Sequence, residues 1–486
     1  MPKDTPDTDA AARSETIEAD FCVIGAGSGG LSFAAAAAAF GQRVVLVEKQ
    51  KMGGDGLNYG SVPSKALLAA AKRAHAMRTA SPFGIRGVEP LIDHRAVQEH
   101  VKDVIARIAP NVSAERFAGL GVRVIAAAAR FVDRSTVVAG DYRISARRFV
   151  IATGSSPVIP AIPGLADVSY FTNETIFDNA VPLPHLIIIG AGSTGLELAQ
   201  AYRRLGSRVT VLDAALALGN EDPELAVVLL TRLHNEGIAI REGVRISRVA
   251  GGQGQITVEI ENNDGKEIIE GSDLLLAAGR KANVADLGLQ AAGISFTSSG
   301  IKVNAGLRTR NRRVYAIGDA AGGPQYSHMA GEHAGIVLRR TLFRLGAKTS
   351  DRAVPRVIFT DPELASVGLT ESEARAKSGK INVLRWPYHE NDRAQAERET
   401  DGQIKVITSK KGHILGVSIV GAQAGEIIQM WSLAMSHCVK IRAMTEWISP
   451  YPTLSEINKR AAFRYFATEP SNAFTRKIIA LLAKLG

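Results

Sequence analysis

Gly25, Gly27 and Gly30 form a G-x-G-x-x-G pattern, and Gly190, Gly192 and Gly195 repeat it. Glycines at this spacing can hold phosphate without using side chains. The first permits a tight turn, the second lets a pyrophosphate approach the backbone, and the third lets a helix pack closely on a strand. A helix that begins at such a turn adds about half a positive charge and free N–H donors. An acid follows the first glycine of each pattern by 23 residues, Glu48 in one case and Asp213 in the other. That is close to the roughly 20-residue spacing of an acid that binds a ribose hydroxyl. Two dinucleotide sites are therefore predicted. At the second, Asp213 favours the free 2′-OH of NADH over the 2′-phosphate of NADPH. Ala214, Ala215 and Leu216 follow it with no basic group, although Arg208, five residues before the acid, could still reach.

The elements that must position these residues are legible as two similar segments, 20–48 and 185–213. Each has a short apolar strand, a glycine turn, an Ala/Leu-rich helix, a second apolar strand and a terminal acid. This is a βαβ unit used twice. Between the units, helices are predicted over 62–80 and 96–119, and short strands over 123–159, ending in VIATGSSP. After the second unit come a helix over 222–236, strands over 238–269 and the closing run DLLLAAGRKAN, which contains Gly279. VYAIGDAAG and a helix over 328–345 follow. Composition shifts after Lys348, where strands alternate with helices in a different style and end in a helix over 454–468.

The run GGDGLNYGSVPSK, residues 53–65, resembles the active-site segment of the class I pyridine-nucleotide disulfide oxidoreductases. This is the flavoprotein family of dihydrolipoamide dehydrogenase, glutathione reductase and mercuric reductase, and the resemblance covers nearly all of 20–467. The family pattern, G-G-x-C-x-N-x-G-C-x-P-S-K, carries two cysteines that form a redox disulfide beside the flavin. Here those positions hold Gly56 and Ser61. A disulfide relay needs a thiolate that can attack and be attacked, and neither residue supplies one. The resemblance implies FAD at the first dinucleotide site and the nicotinamide at the second. Thr153-Gly154 resembles the family's A-T-G strand end, which returns the chain to FAD. Gly318-Asp319 resembles its G-D motif, whose Asp binds the ribityl chain or pyrophosphate. Lys65 matches a lysine that lies by flavin N5 and pairs with a glutamate, here Glu197. A cation there stabilises the anionic reduced flavin, whereas a mere surface pair would contribute about 0–1 kcal/mol.

SPYPTLSE, residues 449–456, resembles the family's H-P-T-x-x-E, in which a histidine oriented by the glutamate shuttles a proton. Tyr451 takes the histidine position and Glu456 is kept. Tyrosine, with a pKa of ~10, is a poor base at pH 7. Mercuric reductases look to have tyrosine here too, but they still need the cysteine pair and carry C-terminal cysteines, which ALLAKLG lacks. VPRVIFTDPELASVGLTESEA, residues 354–374, looks like the opening of the family's dimerisation domain.

The expected fold is α/β, with two Rossmann-like dinucleotide-binding domains and an α+β C-terminal dimerisation domain. Residues 1–18 are expected to be a disordered tail. Residues 19–158 and 279–348 form a split FAD domain, 159–278 an NAD(P) domain and 349–486 the dimerisation domain. The leading reading is a homodimeric FAD-dependent NAD(P)H oxidoreductase that passes electrons to a small non-disulfide acceptor. A quinone, a dye, a metal ion, O2 or a second nicotinamide would serve. Gly56 should open space beside the flavin, and Ser61 and Tyr451 could donate hydrogen bonds to an acceptor. A second reading is a non-catalytic FAD- and NADH-binding relic or sensor. A third, an engineered inactive disulfide reductase, ranks last, because glycine at 56 with tyrosine at 451 is no usual trap.

Composition narrows the rest. The 486 residues allow roughly three domains. The 46% hydrophobic content is that of an ordinary globular protein, and no window approaches the roughly 20 apolar residues needed to span a bilayer. A cytoplasmic protein is expected. The net charge of +10 reads as a solvated basic surface, with no nucleic-acid motif. FTRKIIALLAKL, residues 474–485, is expected to be a last helix packed on its domain rather than a membrane-surface helix. The two cysteines, Cys22 and Cys438, show no metal spacing and do not replace the missing pair.

Overall fold

The structure, a computed structural model, describes residues 15–252, 254–262, 265–467 and 473–485. The apolar run FCVI lies in the strand Glu15–Ile24 and is buried throughout. Burial on both faces is what a central parallel strand requires. This strand pairs in parallel with Val44–Glu48 on one side and Tyr142–Ile151 on the other. The helix Ser28–Ala39 connects the first two strands, which completes the first βαβ unit. Val122–Ala126 extends the sheet beyond Val44–Glu48. Val314–Ala316 returns from far along the chain to pair with Tyr142–Ile151, so one seven-stranded sheet is assembled from two separated stretches.

The second unit builds its own parallel sheet, ordered Ala239–Arg241, Arg208–Leu212, His185–Ile189, Asp273–Leu276. A three-stranded antiparallel sheet, Arg245–Gly252, Gln255–Asn262 and Gly265–Gly271, is inserted before its last strand. From Pro355 the chain forms a five-stranded antiparallel sheet with helices around Trp431, which is fully buried. The α/β architecture with two dinucleotide-type sheets and a separate C-terminal layer is the one the sequence predicts.

Several local expectations are corrected. The tail assigned to 1–18 stops earlier: residues 1–14 lie outside the described residues, but Glu15–Glu18 are strand, paired with Tyr142–Ser145. Ile17 is buried there, and the ladder with its neighbour gives the segment its structure. The helix predicted over 96–119 is broken. His94–Ile108 leads into a 3-10 turn at Pro110, and Ser113 then caps a new helix, Ala114–Gly119, by accepting from the Arg116 N–H at 3.2 Å. Proline has no N–H to continue the first helix. The helix over 454–468 is shorter, Glu456–Phe463 with a 3-10 turn to Phe466, and position 468 lies outside the described residues. The last helix, Ala473–Leu482, buries none of its residues. It is not packed on the domain as expected, because its apolar side chains remain exposed.

Candidate functional site

The two glycine turns have the same geometry. Gly25 sits at φ +104°, and a Cβ there would stand 2.4 Å from the Ala152 carbonyl oxygen. Gly190 sits at φ +115°, with the Ala277 oxygen at 2.3 Å. Gly30 and Gly195 pack on these turns so closely that an added Cβ would meet the Gly25 or Gly190 oxygen at 1.9 Å. Gly27 and Gly192 cap the following helices with no side-chain hydrogen bond. The helix N–H groups are therefore left for a ligand. Glu48 accepts from the N–H of Ala26 at 2.6 Å and of Gln50 at 2.8 Å. Asp213 does the same with Ala191 at 2.6 Å and Ala215 at 2.8 Å. Each acid is thus pinned beside its turn with lone pairs to spare. These features fit a dinucleotide pyrophosphate and ribose at each turn.

Between the turns lies the 53–65 segment. Gly54 approaches the first turn so closely that its Cβ would fall 2.6 Å from the Gly27 Cα. The short helix Gly54–Asn58 carries Gly56, and Ser61 opens the long helix Ser61–Arg78. A Cβ on Gly56 would meet the Ser327 Oγ at 3.4 Å, an ordinary contact. One turn beyond Ser61, the Lys65 Nζ lies 2.7 Å from the Glu197 Oε2 and 4.2 Å from the centroid of the Phe359 ring. The other Glu197 oxygen accepts from the Phe359 N–H at 3.0 Å. Glu197 is buried, so this pair is more than a surface salt bridge. It joins the first unit, the second unit and the C-terminal layer at one point.

The expected FAD-side residues gather around Asp319. Thr153 donates from its hydroxyl to the Asn283 carbonyl at 2.7 Å, which fixes the strand end before Gly154. The Gly318 N–H donates to Nδ1 of the buried His333 at 3.1 Å. Burial holds the His333 pKa below its usual value, which suits the neutral ring that this acceptor role requires. Burial pushes the Asp319 carboxyl up, against the Ser155 hydroxyl that donates to it at 2.6 Å. The sequence reading missed this network. Arg280, next to Gly279, donates to the Ser155 hydroxyl at 2.8 Å and pairs with Asp55 at 2.9 Å. Asp55 also accepts from Asn173 at 3.2 Å. The positions of Arg280 beside Gly279 and Asp55 beside Gly56 were the available signals. Tyr326 and His328, stacked at 5.2 Å between centroids, were missed as well.

Most of these residues line one cleft of about 2250 Å3, while Gly30, Gly195 and His333 stand behind it. This volume exceeds the ~300–1,000 Å3 of a pocket for one small molecule and suits two large ligands. Gly25, Gly27, Glu48, Gly56, Ser61, Lys65, Thr153, Gly154, Gly190, Gly192, Glu197, Asp213, Gly279, Gly318 and Asp319 all line it. Arg245, also in the lining, lies near Asp213 and pairs with Glu261, a base the sequence reading did not weigh. Arg208 is not among the lining residues.

Tyr451 and Glu456 are not brought to this cleft within one protomer. Tyr451 is 68% exposed, and its hydroxyl donates to Asp392 at 2.8 Å. That bond and the Asp392 charge raise its pKa above the usual tyrosine value. Cys22 is fully buried, and burial pushes its thiol up to about 12. Cys438 is exposed, with its Sγ 3.2 Å from Arg352. Neither lines the cleft. Among the described residues no group of three or more His, Cys, Asp or Glu stands together to hold a metal ion. No helix there is long and apolar enough to cross a membrane.

A fold with two dinucleotide turns on one cleft defines the class of pyridine-nucleotide-linked oxidoreductases. The comparisons narrow this. Residues 19–334 match the pyridine nucleotide-disulphide oxidoreductase family and residues 354–462 its dimerisation domain. The chain belongs to this family, whose members are FAD-dependent oxidoreductases working with NAD(P)H. It is 32% identical to a mercuric reductase of Bacillus cereus, over 94% of this chain and 73% of that protein. It is 33% identical to a dihydrolipoyl dehydrogenase of Geobacillus stearothermophilus, over 92% of this chain and 96% of that protein. Among solved structures, the HOCl-induced flavoprotein disulfide reductase RclA of Escherichia coli, in its Cu(II) complex, superposes with a TM-score of 0.82. It shares 26% identity and covers 90% of this chain and 98% of its own.

Proposed function

We propose that this protein is an FAD-dependent NADH oxidoreductase that delivers electrons to an acceptor other than a disulfide. The observation that carries this reading is the absence of cysteine sulfur among the described residues of the cleft. Gly56 and Ser61 occupy the positions where the family pattern has cysteine, and no cysteine is among the lining residues. Cys22 is too buried, and its thiol too weakly acidic, to act as a nucleophile. FAD, when bound, supplies the chemistry of accepting a hydride and releasing electrons.

The chain's own residues have distinct tasks. The first turn with Glu48 would hold the adenosine half of FAD, with Thr153, Gly154, Gly318 and Asp319 along its length. The second turn, Asp213 and Gly279 would hold NADH. Glu197 orients the Lys65 ammonium toward the cleft. Gly56 leaves room for the acceptor, and the Ser61 hydroxyl is available to orient it. Tyr451 and Glu456 belong to the stretch matched as the dimerisation domain. In our reading Tyr451 meets a cleft only when two copies assemble as a homodimer.

The test is anaerobic reduction by NADH followed by a panel of acceptors. Bleaching of the flavin absorbance and its recovery on adding a quinone or dye, with no dihydrolipoamide or glutathione disulfide turnover, is the expected result. Disulfide turnover by the unmodified chain would overturn the reading. Failure of NADH to bleach the flavin would instead favour a binding relic.

A further inference from the structure

We propose that the helix Ala473–Leu482 docks on an anionic lipid surface. The helix follows the stretch matched as the dimerisation domain, which ends at residue 462, and it buries none of its residues. Phe474, Ile478, Leu481, Leu482 and Leu485 recur at steps of four, three, one and three. At 3.6 residues per turn the four within the helix, Phe474, Ile478, Leu481 and Leu482, share one face. Leu481 on that face is 62% exposed and Leu482 57%. Arg476 lies opposite that face with Ala473 and Ala480, Lys477 borders it on one side and Ile479 on the other, and Lys484 follows in the closing turn. No Asp or Glu occurs from 473 to 486. An amphipathic helix of this kind lies in the plane of a bilayer, with its apolar face at the acyl boundary and its cations among anionic headgroups.

A second copy of the chain is the competing occupant, because positions 474, 478, 481 and 485 also have heptad spacing. Two features weigh against it. A coiled-coil seam is sustained over roughly three to four heptads, whereas this helix has 10 residues. Two copies would also bring cations together with no acid on either helix to pair with them. An anionic surface satisfies both the apolar face and the charge. The net charge of +10 adds long-range attraction to it.

The test is co-sedimentation of the FAD-loaded full chain with vesicles of phosphatidylcholine alone and of phosphatidylcholine with phosphatidylglycerol. Binding is expected to the phosphatidylglycerol vesicles and to weaken with added salt. Phe474→Ala/Leu481→Ala keeps every charge, and Lys477→Glu/Lys484→Glu keeps every apolar contact. Each is expected to weaken binding by roughly tenfold, while the cleft and NADH-dependent flavin reduction stay unchanged. No binding to either vesicle would overturn the proposal. Undiminished binding by the charge-preserving variant would also overturn it, since the attraction would then belong to another basic face. Dissociation of the dimer by Phe474→Ala/Leu481→Ala, read by light scattering, would assign the face to a second copy and overturn it as well.

Discussion

Lys65 and Glu197, far apart in sequence, meet at 2.7 Å, and the Phe359 N–H holds the second oxygen of that glutamate. The lysine is thereby committed to one place at the centre of the cleft, against the Phe359 ring. Its position is set by a buried partner. Lys65→Met is expected to slow NADH-dependent bleaching of the flavin by roughly tenfold or more, equivalent to about 1.4 kcal/mol. Stopped-flow absorbance measures it. FAD content should be unchanged, and an unaltered rate would make the lysine structural.

The twin turns predict a clean separation of the two sites. Gly25→Ala drives a Cβ into the Ala152 carbonyl at a φ of +104°. The expected result is loss of FAD and a colourless or unstable protein. Gly190→Ala drives a Cβ into the Ala277 carbonyl at a φ of +115°. That protein should stay yellow but need much more NADH, by roughly tenfold or more in KM. Chromatography of the released flavin and steady-state kinetics distinguish the two.

Nicotinamide choice turns on two charges near the second turn. Asp213 disfavours the 2′-phosphate of NADPH, while Arg245 in the lining is neutralised by Glu261. NADH is expected to give the higher kcat/KM. Asp213→Ala should narrow the gap, and adding Glu261→Gln, which frees Arg245, should narrow it further. A marked NADPH preference in the unmodified protein would refute the assignment of Asp213.

What the sequence could show differs in kind from what it could not. Gly25, Gly190, Glu48 and Asp213 were legible because a turn that excludes a Cβ and an acid one strand later are local demands. Lys65 and Glu197 were paired through the family pattern alone. No local pattern marks Arg280 as the partner of Asp55, or Ser155 as that of Asp319, because those contacts close only when both halves of the first domain fold together. The start of the first strand was misplaced for the opposite reason. Thr16-Ile17-Glu18-Ala19 alternates polar and apolar, and both Ile17 and Ala19 are buried, but the polar composition around it hid the strand period. The break at Pro110 was legible in principle, with Ser113 standing three residues later as a cap.

Lys405 predicts how acid weakens the fold. It is buried among Asp222 at 2.9 Å, Glu224 at 2.8 Å and Glu371 at 2.8 Å, which joins the second unit to the C-terminal layer. The Arg385 hydrogen bond, helped by Lys405, holds the Glu224 carboxyl down to about 2. A carboxyl lowered on folding adds stability above its unfolded value, 4.5 here, and loses it as pH falls toward the folded one. The thermal midpoint should therefore drop between about pH 5 and pH 2. Lys405→Met leaves Asp222 buried without its cation and should destabilise by about 3 kcal/mol or more at neutral pH. Adding Asp222→Asn should recover part of that loss, as read by the thermal midpoint.

The last prediction concerns the space at position 56. A Cβ there would touch only the Ser327 Oγ, at an ordinary 3.4 Å, so Gly56→Ala should fold and bind FAD normally. A larger side chain would occupy the room that our reading reserves for the acceptor. Gly56→Leu is therefore expected to leave flavin reduction by NADH within about twofold, because Lys65, Glu197 and both glycine turns are untouched. Reoxidation by a quinone should fall by roughly tenfold, and reoxidation by O2, which needs less room, should fall less. This ordering separates a blocked acceptor slot from a general loss of fold, which would slow both halves alike. Equal quinone turnover by the unmodified protein and the Gly56→Leu variant would show that the acceptor approaches from another side of the cleft, and Gly56 would then lose its assigned role.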